Sequence, residues 1–306
     1  MKAHLYELKC LTNLHAGSGD ENYKVIDNEV ERDPVTGMPT IFSSGVKGAI
    51  REFLEQEAKM LKDKGENQKA EKLNEQIAIA LGAVIEEEEN DNGEKTGENE
   101  KAEKLNEQIG AVIEREENGN GEKTRKKKIS VPGQYKFLSA TLIGRPLRIS
   151  DGEGAYILTG AADFISDYMD MLKDLDISID GMDEEIPFPE EGMVSSVSDI
   201  KIEGMETEQK SSSLMTALLG EKWALASSKT LEQCALPVQA RNVLKENGTS
   251  DNLWYEEVVP HKSIFHMIII TPKEENLLDS YINGKIIQFG ADASIGYGLC
   301  KVKKLN

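Results

Sequence analysis

The stretch from residue 15 to residue 51 concentrates side chains that could bind and act on a phosphate. A helix is predicted to begin where the hydroxyl of Ser43 or Ser44 can cap its free amide groups. Lys47 and Arg51 follow with i, i+4 spacing and share one face of that helix. Amide donors, a positive helix end and two cations together suit a phosphate. An ordinary capped surface helix has the same pattern, so both interpretations stay open.

The long loop from residue 13 to residue 40 supplies the candidate acid. Loops of this length inside compact domains are usually functional or disordered, and turn signals within this one indicate local order. We expect its carboxylates and Arg32 to point outward. Asp27 is one of these carboxylates. Taken by itself, a loop aspartate is more often a solvated surface residue than a catalytic one.

A Gly-rich segment near residue 300 is the third candidate site. Gly290, Gly296 and Gly298 punctuate FGADASIGYGLCKV. A strand pattern follows these glycines where a dinucleotide-binding fingerprint would require a helix, so that type of site is excluded. Glycine lets a backbone come close to another group. That group could equally be a neighbouring strand or a ligand phosphate.

The formal net charge of −19 argues at first against a nucleic-acid partner, because affinity for phosphate backbones comes largely from Lys and Arg. However, residues 86–124 and residues 175–210 carry −9 each, which leaves the remaining chain at −1. A nearly neutral body could still present a basic groove. The candidate cations for that groove are Lys47, Arg51, Arg145, Arg148 and Arg241.

The elements that must position these residues follow the ferredoxin-like order of strand, helix, strand, strand, helix. We therefore predict an α+β fold with a single domain over residues 1–306. The motif KAEKLNEQI at residues 69–77 recurs at residues 101–109. Residues 86–128 are predicted to be an acidic, duplicated and disordered insertion. Residues 176–210 are predicted to be a thumb-like insertion whose strands pair as a projecting hairpin.

The cysteines and the hydropathy of the chain indicate the cellular compartment in which the protein works. The three cysteines are far apart and lack CxxC spacing, so neither a disulfide framework nor a zinc site is indicated. No run of 18 apolar residues occurs. We expect a cytoplasmic protein that is neither exported nor embedded in a membrane.

Five stretches, taken in order, resemble the RAMP superfamily. They are HAGSG, IDNEVERDPVTGMPTIFSSGVKGAIR, FLSATLIGRPLRISDGEGAYILTG, QARNVLKENG with LWYEEVVP, and FGADASIGYGLCKV. Within that superfamily the chain is similar to the repeated backbone subunit of type III-B CRISPR Cmr effector complexes. Each Gly-rich piece alone would be weak, and the set in order is specific. The chain departs from the family pattern in its duplicated insertion and in Ala291, where a second glycine is common.

The resemblance implies a ferredoxin-like (RRM-like) palm with long loops and a projecting thumb hairpin. It also implies an endoribonuclease that cleaves guide-paired target RNA at regular intervals. The catalytic carboxylate matches Asp27, which would also be the ligand of a divalent metal ion, Mg or Mn. Family positions and residue pattern together give the predicted RNA-binding residues: His15, Ser43, Ser44, Lys47, Arg51, Arg241, Gly296 and Gly298. Glu256 and Glu257 are possible accessory residues.

The implied partners are a CRISPR guide RNA, a target RNA, other Cmr complex subunits and copies of the chain itself in a head-to-tail filament. Two classes of function remain open. One is a catalytic backbone subunit, and the other is a structural RNA-binding subunit whose nuclease lies elsewhere. The equivalent type III-A subunit would change the complex but not the chemistry.

Overall fold

The computed structural model describes residues 1–19, 26–88, 126–272 and 276–306. The chain groups into two units, although the sequence predicts one domain. The first unit consists of Met1–Lys2, Ile50–Lys136 and Ile270–Tyr281, and the second of Ala3–Ala49, Phe137–Ile269 and Ile282–Asn306.

A large mixed sheet dominates the second unit. From one edge to the other, its path among the described residues is β10 (Thr207–Gln209), β8 (Val194–Ser196), β11 (Trp223–Ala226), β7 (Tyr156–Ala161), β6 (Ala140–Asp151), β14 (Ile264–Thr271), β1 (Lys2–Cys10), β16 (Leu299–Lys304) and β15 (Ile286–Gln288). Short strands lie off this path: β2 (Thr40–Ile41) and β9 (Lys201–Ile202) pair with β6, and β5 (Lys136–Phe137) pairs with β14. Neighbours are antiparallel at β1/β16, β6/β7 and β6/β14 and parallel at β7/β11.

Six helices occur among the described residues. They are α1 (Ser43–Asp63), α2 (Asn67–Leu81), α3 (Ala162–Asp174), α4 (Ser213–Leu219), α5 (Ser228–Gln233) and α6 (Asp279–Ile282). The order β1, α1, β6, β7, α3 contains the predicted strand, helix, strand, strand, helix succession. Helix α3 buries Ile165, Tyr168, Met169 and Leu172, which recur at three- and four-residue spacing and form one apolar face.

Central strands of the sheet are apolar on both faces. In β14 seven of eight residues are buried, and all four residues of β11 are buried. Strands covered on both faces give nearly continuous apolar runs. The core therefore runs along the middle of the sheet, and it leaves the loops at the strand ends free to carry polar residues.

Strand pairing within residues 176–210 is more extensive than the predicted projecting hairpin, whose two segments meet at a bridge between Ile202 and Met205. In the structure β8 and β10 extend the large sheet beyond β11, and β9 pairs with β6. The physical reason is burial, because Val194, Ile200 and Ile202 pack into a core cluster with Leu147 and Ile157. Burying these apolar side chains against an existing sheet is more favourable in free energy than leaving them exposed on a hairpin that projects into water.

The separate hairpin in this unit is formed by β12 (Val238–Leu244) and β13 (Ser250–Glu257), which form a two-stranded sheet. Glu256 of β13 also bridges to Asn28. Its antiparallel register places Arg241 opposite Trp254 and Gln239 opposite Glu256. Several of its large apolar side chains are exposed: Val238, Val243, Leu253 and Tyr255.

In the first unit, helix α2 contains the first copy of the repeated motif and buries Leu73 and Ile77. The second copy, residues 101–109, lies outside the described residues. Strands β3 (Gly82–Glu88) and β4 (Lys126–Pro132) pair along their whole length. Both ends of the predicted disordered insertion, residues 86–88 and 126–128, are therefore strand, because they continue this antiparallel ladder. Residues 89–125 are outside the described part of the chain.

Within the described residues, no helix combines the length and the apolar character needed to cross a membrane.

The connection from β15 to β16 depends on close backbone packing. Gly298 has φ of 72°, and a Cβ placed there would lie 1.8 Å from the carbonyl oxygen of Phe289. The Phe289 amide donates to the carbonyl of Gly298 at 2.9 Å. Of the two alternatives left open by the sequence, the neighbouring strand is the group that Gly298 approaches.

Replacing Gly298 by Ala should therefore destabilise the protein far more than replacing Gly284. Gly284 has φ of 76°, but no atom lies within 4 Å of the position that a Cβ would take there. Gly284→Ala should cost about 1 kcal/mol from the left-handed backbone alone, and Gly298→Ala at least about 3 kcal/mol because the Phe289 backbone must also move. Urea unfolding of the two variants measures both values. Equal losses would contradict this account of Gly298.

Candidate functional site

Four segments that are distant in sequence meet around the base of strand β13. Leu14 bridges to Val259, the amide of Asp27 donates to the carbonyl of Tyr255 at 3.1 Å, and the amide of Ala291 donates to the carbonyl of His15 at 2.8 Å. An open cleft lies between these segments. Its lining includes His15, Gly17, Asn28, Trp254, Glu256 and Asp292. The structure thus brings the predicted residues His15, Asp27, Arg241, Glu256 and Glu257 into one region.

Asp27 is exposed beside this cleft, and backbone bonds hold it in place. Its Oδ2 atom accepts a hydrogen bond from the Tyr255 amide at 2.7 Å. The amides of Asp27 and Asn28 both donate to the Tyr255 carbonyl, at 3.1 and 3.2 Å. Among the described residues, the second carboxylate oxygen of Asp27 has no hydrogen-bond partner. One carboxylate oxygen of Asp27 is thus anchored to β13, and the other is unpartnered within the described part of the chain.

Glu256 is buried and connects two cleft residues. Its carboxylate accepts a hydrogen bond from Arg241 Nε at 2.8 Å and lies 3.6 Å from His15 Nε2. The His15 Nδ1 atom lies 2.7 Å from the carbonyl oxygen of Glu257, so this nitrogen must carry the proton and donate. Gly17 leaves room for the ring, since a Cβ there would lie 2.9 Å from His15 Nε2.

Arg241 is held on three sides. Besides Glu256, its guanidinium lies 3.5 Å from Asp292 and stacks 4.4 Å above the ring centre of Tyr297. Burial opposes its charge, but the hydrogen bond with Glu256 raises the pKa of Arg241. Within the described residues Nε is the donor that makes a hydrogen bond, and Nη2 is buried without one. The ion pairs with Glu256 and Asp292 nevertheless make Arg241 a structural cation at the base of the hairpin.

Glu257 points to the opposite face of β13 and binds the loop that carries Asp27. Its Oε1 atom pairs with Arg32 at 2.5 Å, and its Oε2 atom accepts from the Val30 amide at 3.2 Å. The prediction that Arg32 points outward is wrong, because its guanidinium turns back to this buried carboxylate. Glu256 and Glu257 thus hold neighbouring loops to β13.

Glu31 ties the same loop to the start of helix α1. Its carboxylate accepts a hydrogen bond from the Phe42 amide at 2.7 Å. Burial raises the pKa of Glu31, and the Phe42 amide and the nearby His15 offset part of that rise. The carboxylate loop and the helix that carries Lys47 are therefore parts of one hydrogen-bonded assembly.

The predicted cap of that helix does not form. Helix α1 begins at Ser43 itself, and the Val46 amide donates to the Phe42 carbonyl. The amide of Ser43 donates to the hydroxyl of Ser139 at 3.2 Å. Ser43 and Ser44 are exposed, and their hydroxyls bond to no described residue, so both side chains stay available to a ligand.

The predicted cations differ in availability. Lys47 is half-buried and its ammonium group has no partner among the described residues. Arg51 in the first unit donates to the carbonyls of Leu81 and Gly82 at 2.8 and 2.9 Å, so it caps the end of α2. Arg145 is buried, bonds the Leu231 carbonyl at 2.8 Å, and cannot belong to a basic groove.

Gly296 is the remaining predicted residue. It has φ of 82°, and no atom lies within 4 Å of the position that a Cβ would take. Unlike Gly298, it therefore faces open space at the Cβ position, although its amide donates to the Ala293 carbonyl at 3.0 Å. It follows the short 3-10 helix Ala293–Ile295 at the cleft side of the Gly-rich segment.

Sequence reasoning missed three residues that shape the site. Tyr255 supplies the amide and carbonyl that anchor Asp27, Tyr297 supports Arg241, and Asp292 lines the cleft. Tyr297 and Asp292 lie inside the Gly-rich motif FGADASIGYGLCKV, which was the available signal. Nothing in the spacing of Tyr255 indicates a bond to a residue 228 positions away.

The fit of a divalent metal can be judged from the donor set. Within the described residues, no group of three or more His, Cys, Asp or Glu side chains is placed to hold a metal ion. Mg²⁺ in phosphate chemistry is commonly held by one or two carboxylates together with substrate phosphates and water. The free oxygen of Asp27 fits such a shared site, which the substrate would complete.

Comparison with known proteins places this geometry in a family. A model described as the RAMP superfamily matches residues 7–301. The curated CRISPR system Cmr endoribonuclease Cmr4 of Pyrococcus furiosus is 25% identical over 326 residues, covering 99% of this chain and 95% of that protein.

Two solved structures have a similar fold. A cryo-EM structure of the Type III-B Cmr-beta bound to cognate target RNA contains a chain with 19% identity and a TM-score of 0.67, with 100% of this chain and 98% of that chain covered. The crystal structure of oligomeric Cmr4 from Pyrococcus furiosus gives 17% identity and a TM-score of 0.59, with 100% and 98% covered. These likenesses confirm the predicted fold class. Since the family model spans nearly the whole length, the chain belongs to the RAMP superfamily.

Proposed function

We propose that this chain is the repeated backbone subunit of a type III-B CRISPR effector complex, which lies along a guide RNA and cleaves the paired target RNA at regular intervals. The observation that carries the proposal is the anchored, exposed carboxylate of Asp27 at the edge of the cleft. The full-length relative from Pyrococcus furiosus is named an endoribonuclease, which supports the same activity.

The chemistry requires few protein groups, because RNA contains its own nucleophile. The 2′-hydroxyl attacks the adjacent phosphorus and the bond to the 5′-oxygen of the next nucleotide breaks. That oxygen takes a proton from water, so the products carry a 2′,3′-cyclic phosphate and a 5′-hydroxyl. The free oxygen of Asp27 would orient the attacking hydroxyl or accept its proton. Holding the phosphate in line with the hydroxyl supplies the rest of the rate acceleration.

The proposed reaction includes a divalent metal ion, Mg or Mn, as a cofactor. Asp27 and the RNA phosphate would hold it, and when bound it would stabilise charge developing on the phosphate oxygens. A non-catalytic structural RNA-binding subunit is the second candidate function. The observation that favours it is the bond between the Asp27 carboxylate and the Tyr255 amide, which gives Asp27 a structural role in holding the loop.

Partners follow from the same proposal. Guide RNA would contact Lys47 and the exposed hydroxyls of Ser43 and Ser44 at the start of helix α1. Target RNA would pair with the guide and pass Asp27. Other complex subunits and further copies of the chain would complete the assembly, and a head-to-tail arrangement suits an open filament because the two contacting surfaces differ.

The first test of the activity is Asp27→Asn. The amide is nearly isosteric and its oxygen can still accept from the Tyr255 amide, so folding, assembly and RNA binding should be unchanged. Cleavage at every periodic site should fall at least about a hundredfold, the scale of losing one positioned catalytic group. Asp183→Asn, in another exposed loop, is the matched control. Normal cleavage by the Asp27 variant with intact target pairing would favour the structural subunit.

The nucleophile can be tested in the substrate. A target carrying a single 2′-deoxy nucleotide on the 5′ side of one scissile phosphate lacks the attacking hydroxyl there. Cleavage should vanish at that site and persist at the neighbouring ones, and mass spectrometry should find cyclic phosphate ends at the latter. Cutting at the deoxy position would instead require an attacking water.

Lys47 and Arg51 should respond differently to substitution by Ala. Lys47→Ala should weaken guide binding about equally for all sequences and reduce the slope of log K against log salt by about one. Arg51→Ala should leave that slope unchanged and lower the free energy of unfolding by about 1 kcal/mol, because two carbonyls lose their donor. Binding titrations at several salt concentrations, with urea unfolding, separate the two. An equal change of slope in both variants would show that Arg51 also contacts phosphate.

A further inference from the structure

We propose that Arg32 is a positioning residue for cleavage: through its ion pair with Glu257 it sets the place of Asp27. This inference rests on the proposed function, since it concerns the same reaction. Arg32 lies five residues after Asp27 and does not bind it, so any effect on the chemistry must pass through the loop and strand β13.

The ion pair joins the partly exposed Arg32 to the buried carboxylate of Glu257. Arg32 donates to Glu257 at 2.5 Å and to the carbonyl of Gly37 at 3.2 Å. The Glu257 side chain is only 8% exposed, while that of Arg32 is 37% exposed. A carboxylate buried to this extent needs a charge partner, and removing one partner of such a pair leaves an uncompensated charge.

Hydrogen bonds along β13 link this ion pair to Asp27. The other oxygen of Glu257 accepts from the Val30 amide at 3.2 Å, and the Glu257 amide donates to the carbonyl of Asn28 at 2.9 Å. Two residues earlier on the same strand, Tyr255 binds the carboxylate and the amide of Asp27. Hydrogen bonds from residues 27–30 therefore attach the loop to β13, and the Arg32–Glu257 ion pair is the last bond of this series.

The consequence of losing the Arg32 charge follows from burial. Glu257 would keep only the more distant Arg145 as a nearby cation among the described residues. Its carboxylate would then turn towards water, which weakens its bond to the Val30 amide. The loop would then move relative to Tyr255. A displacement of about 1 Å at a positioned group can reduce a rate about a hundredfold without loss of substrate binding.

The chain offers a matched control in the pair of Lys210 and Glu208. The Glu208 carboxylate pairs with the Lys210 ammonium at 2.9 Å. It also accepts a hydrogen bond from the Glu190 amide at 2.6 Å. The side chains are similarly exposed, 40% for Lys210 and 13% for Glu208. None of these residues lines the cleft. Lys210→Gln therefore removes an equivalent ion pair away from the site.

The experiment uses complexes reconstituted with guide RNA and containing Arg32→Gln, Arg32→Lys or Lys210→Gln. Single-turnover cleavage by Arg32→Gln should fall tenfold to a hundredfold, with target affinity within about twofold of the unchanged protein. Arg32→Lys restores the charge and should recover most of the rate. Lys210→Gln should cleave normally. Normal cleavage by Arg32→Gln, or a loss equal to that of Lys210→Gln, would overturn the proposal.

Hydrogen exchange of the assembled complex supplies a readout that does not depend on activity. In Arg32→Gln, amides at residues 27–30 and 255–257 should exchange faster, and the remainder of β12 and β13 should not. Unchanged protection of these amides would overturn the proposal even if cleavage fell.

Comparing Arg32→Gln with Asp27→Asn distinguishes a failure of the positioning role from a failure of the proposed function. If Asp27→Asn cleaves normally, the function fails regardless of Arg32. If Asp27→Asn is inactive while Arg32→Gln cleaves normally, only the positioning role fails. Combining both substitutions should lower the rate no further than Asp27→Asn alone, because Arg32 acts through Asp27. An additional loss in the double variant would show that Arg32 acts on RNA directly.

Discussion

Two adjacent buried carboxylates on one strand are the constraint on which the site depends. Side chains alternate along β13, so Glu256 and Glu257 point to opposite faces, and each face must supply a cation or donors. Arg241 and His15 meet Glu256, while Arg32 and the Val30 amide meet Glu257. Burying these two charges therefore brings the segment that carries His15, the loop that carries Asp27 and the hairpin to one place.

The elements that sequence reasoning predicted well are those governed by local periodicity. The helix predicted to begin at Ser43 or Ser44 is α1. Its buried residues repeat with helical spacing: Val46, Ile50, Leu54 and Ala58. The α+β class followed from the order of these elements. Asp27 was singled out by family resemblance, since nothing in its local sequence distinguishes it from other loop acids.

The contacts that sequence reasoning did not find are non-local. Arg32 binds a carboxylate 225 residues away, and Arg51 binds a carbonyl 30 residues away. Helical spacing showed that Lys47 and Arg51 share a face, but only the fold shows that one of them caps another helix. The wider pairing of residues 176–210 was missed for a similar reason, because alternation within this segment cannot show whether a sheet edge is available to pair with it.

The use of arginine inside the structure has a consequence for RNA binding. Arg32, Arg51, Arg145 and Arg241 all bond to protein groups, so they neutralise few phosphates. A subunit that neutralises few phosphates binds RNA weakly at physiological salt. Copies arranged along one guide RNA would raise the effective concentration of each neighbouring contact without any new contact per copy. A repeated backbone subunit is therefore better suited to hold a long guide than an isolated one, since four of the arginines in the described residues are engaged by protein groups.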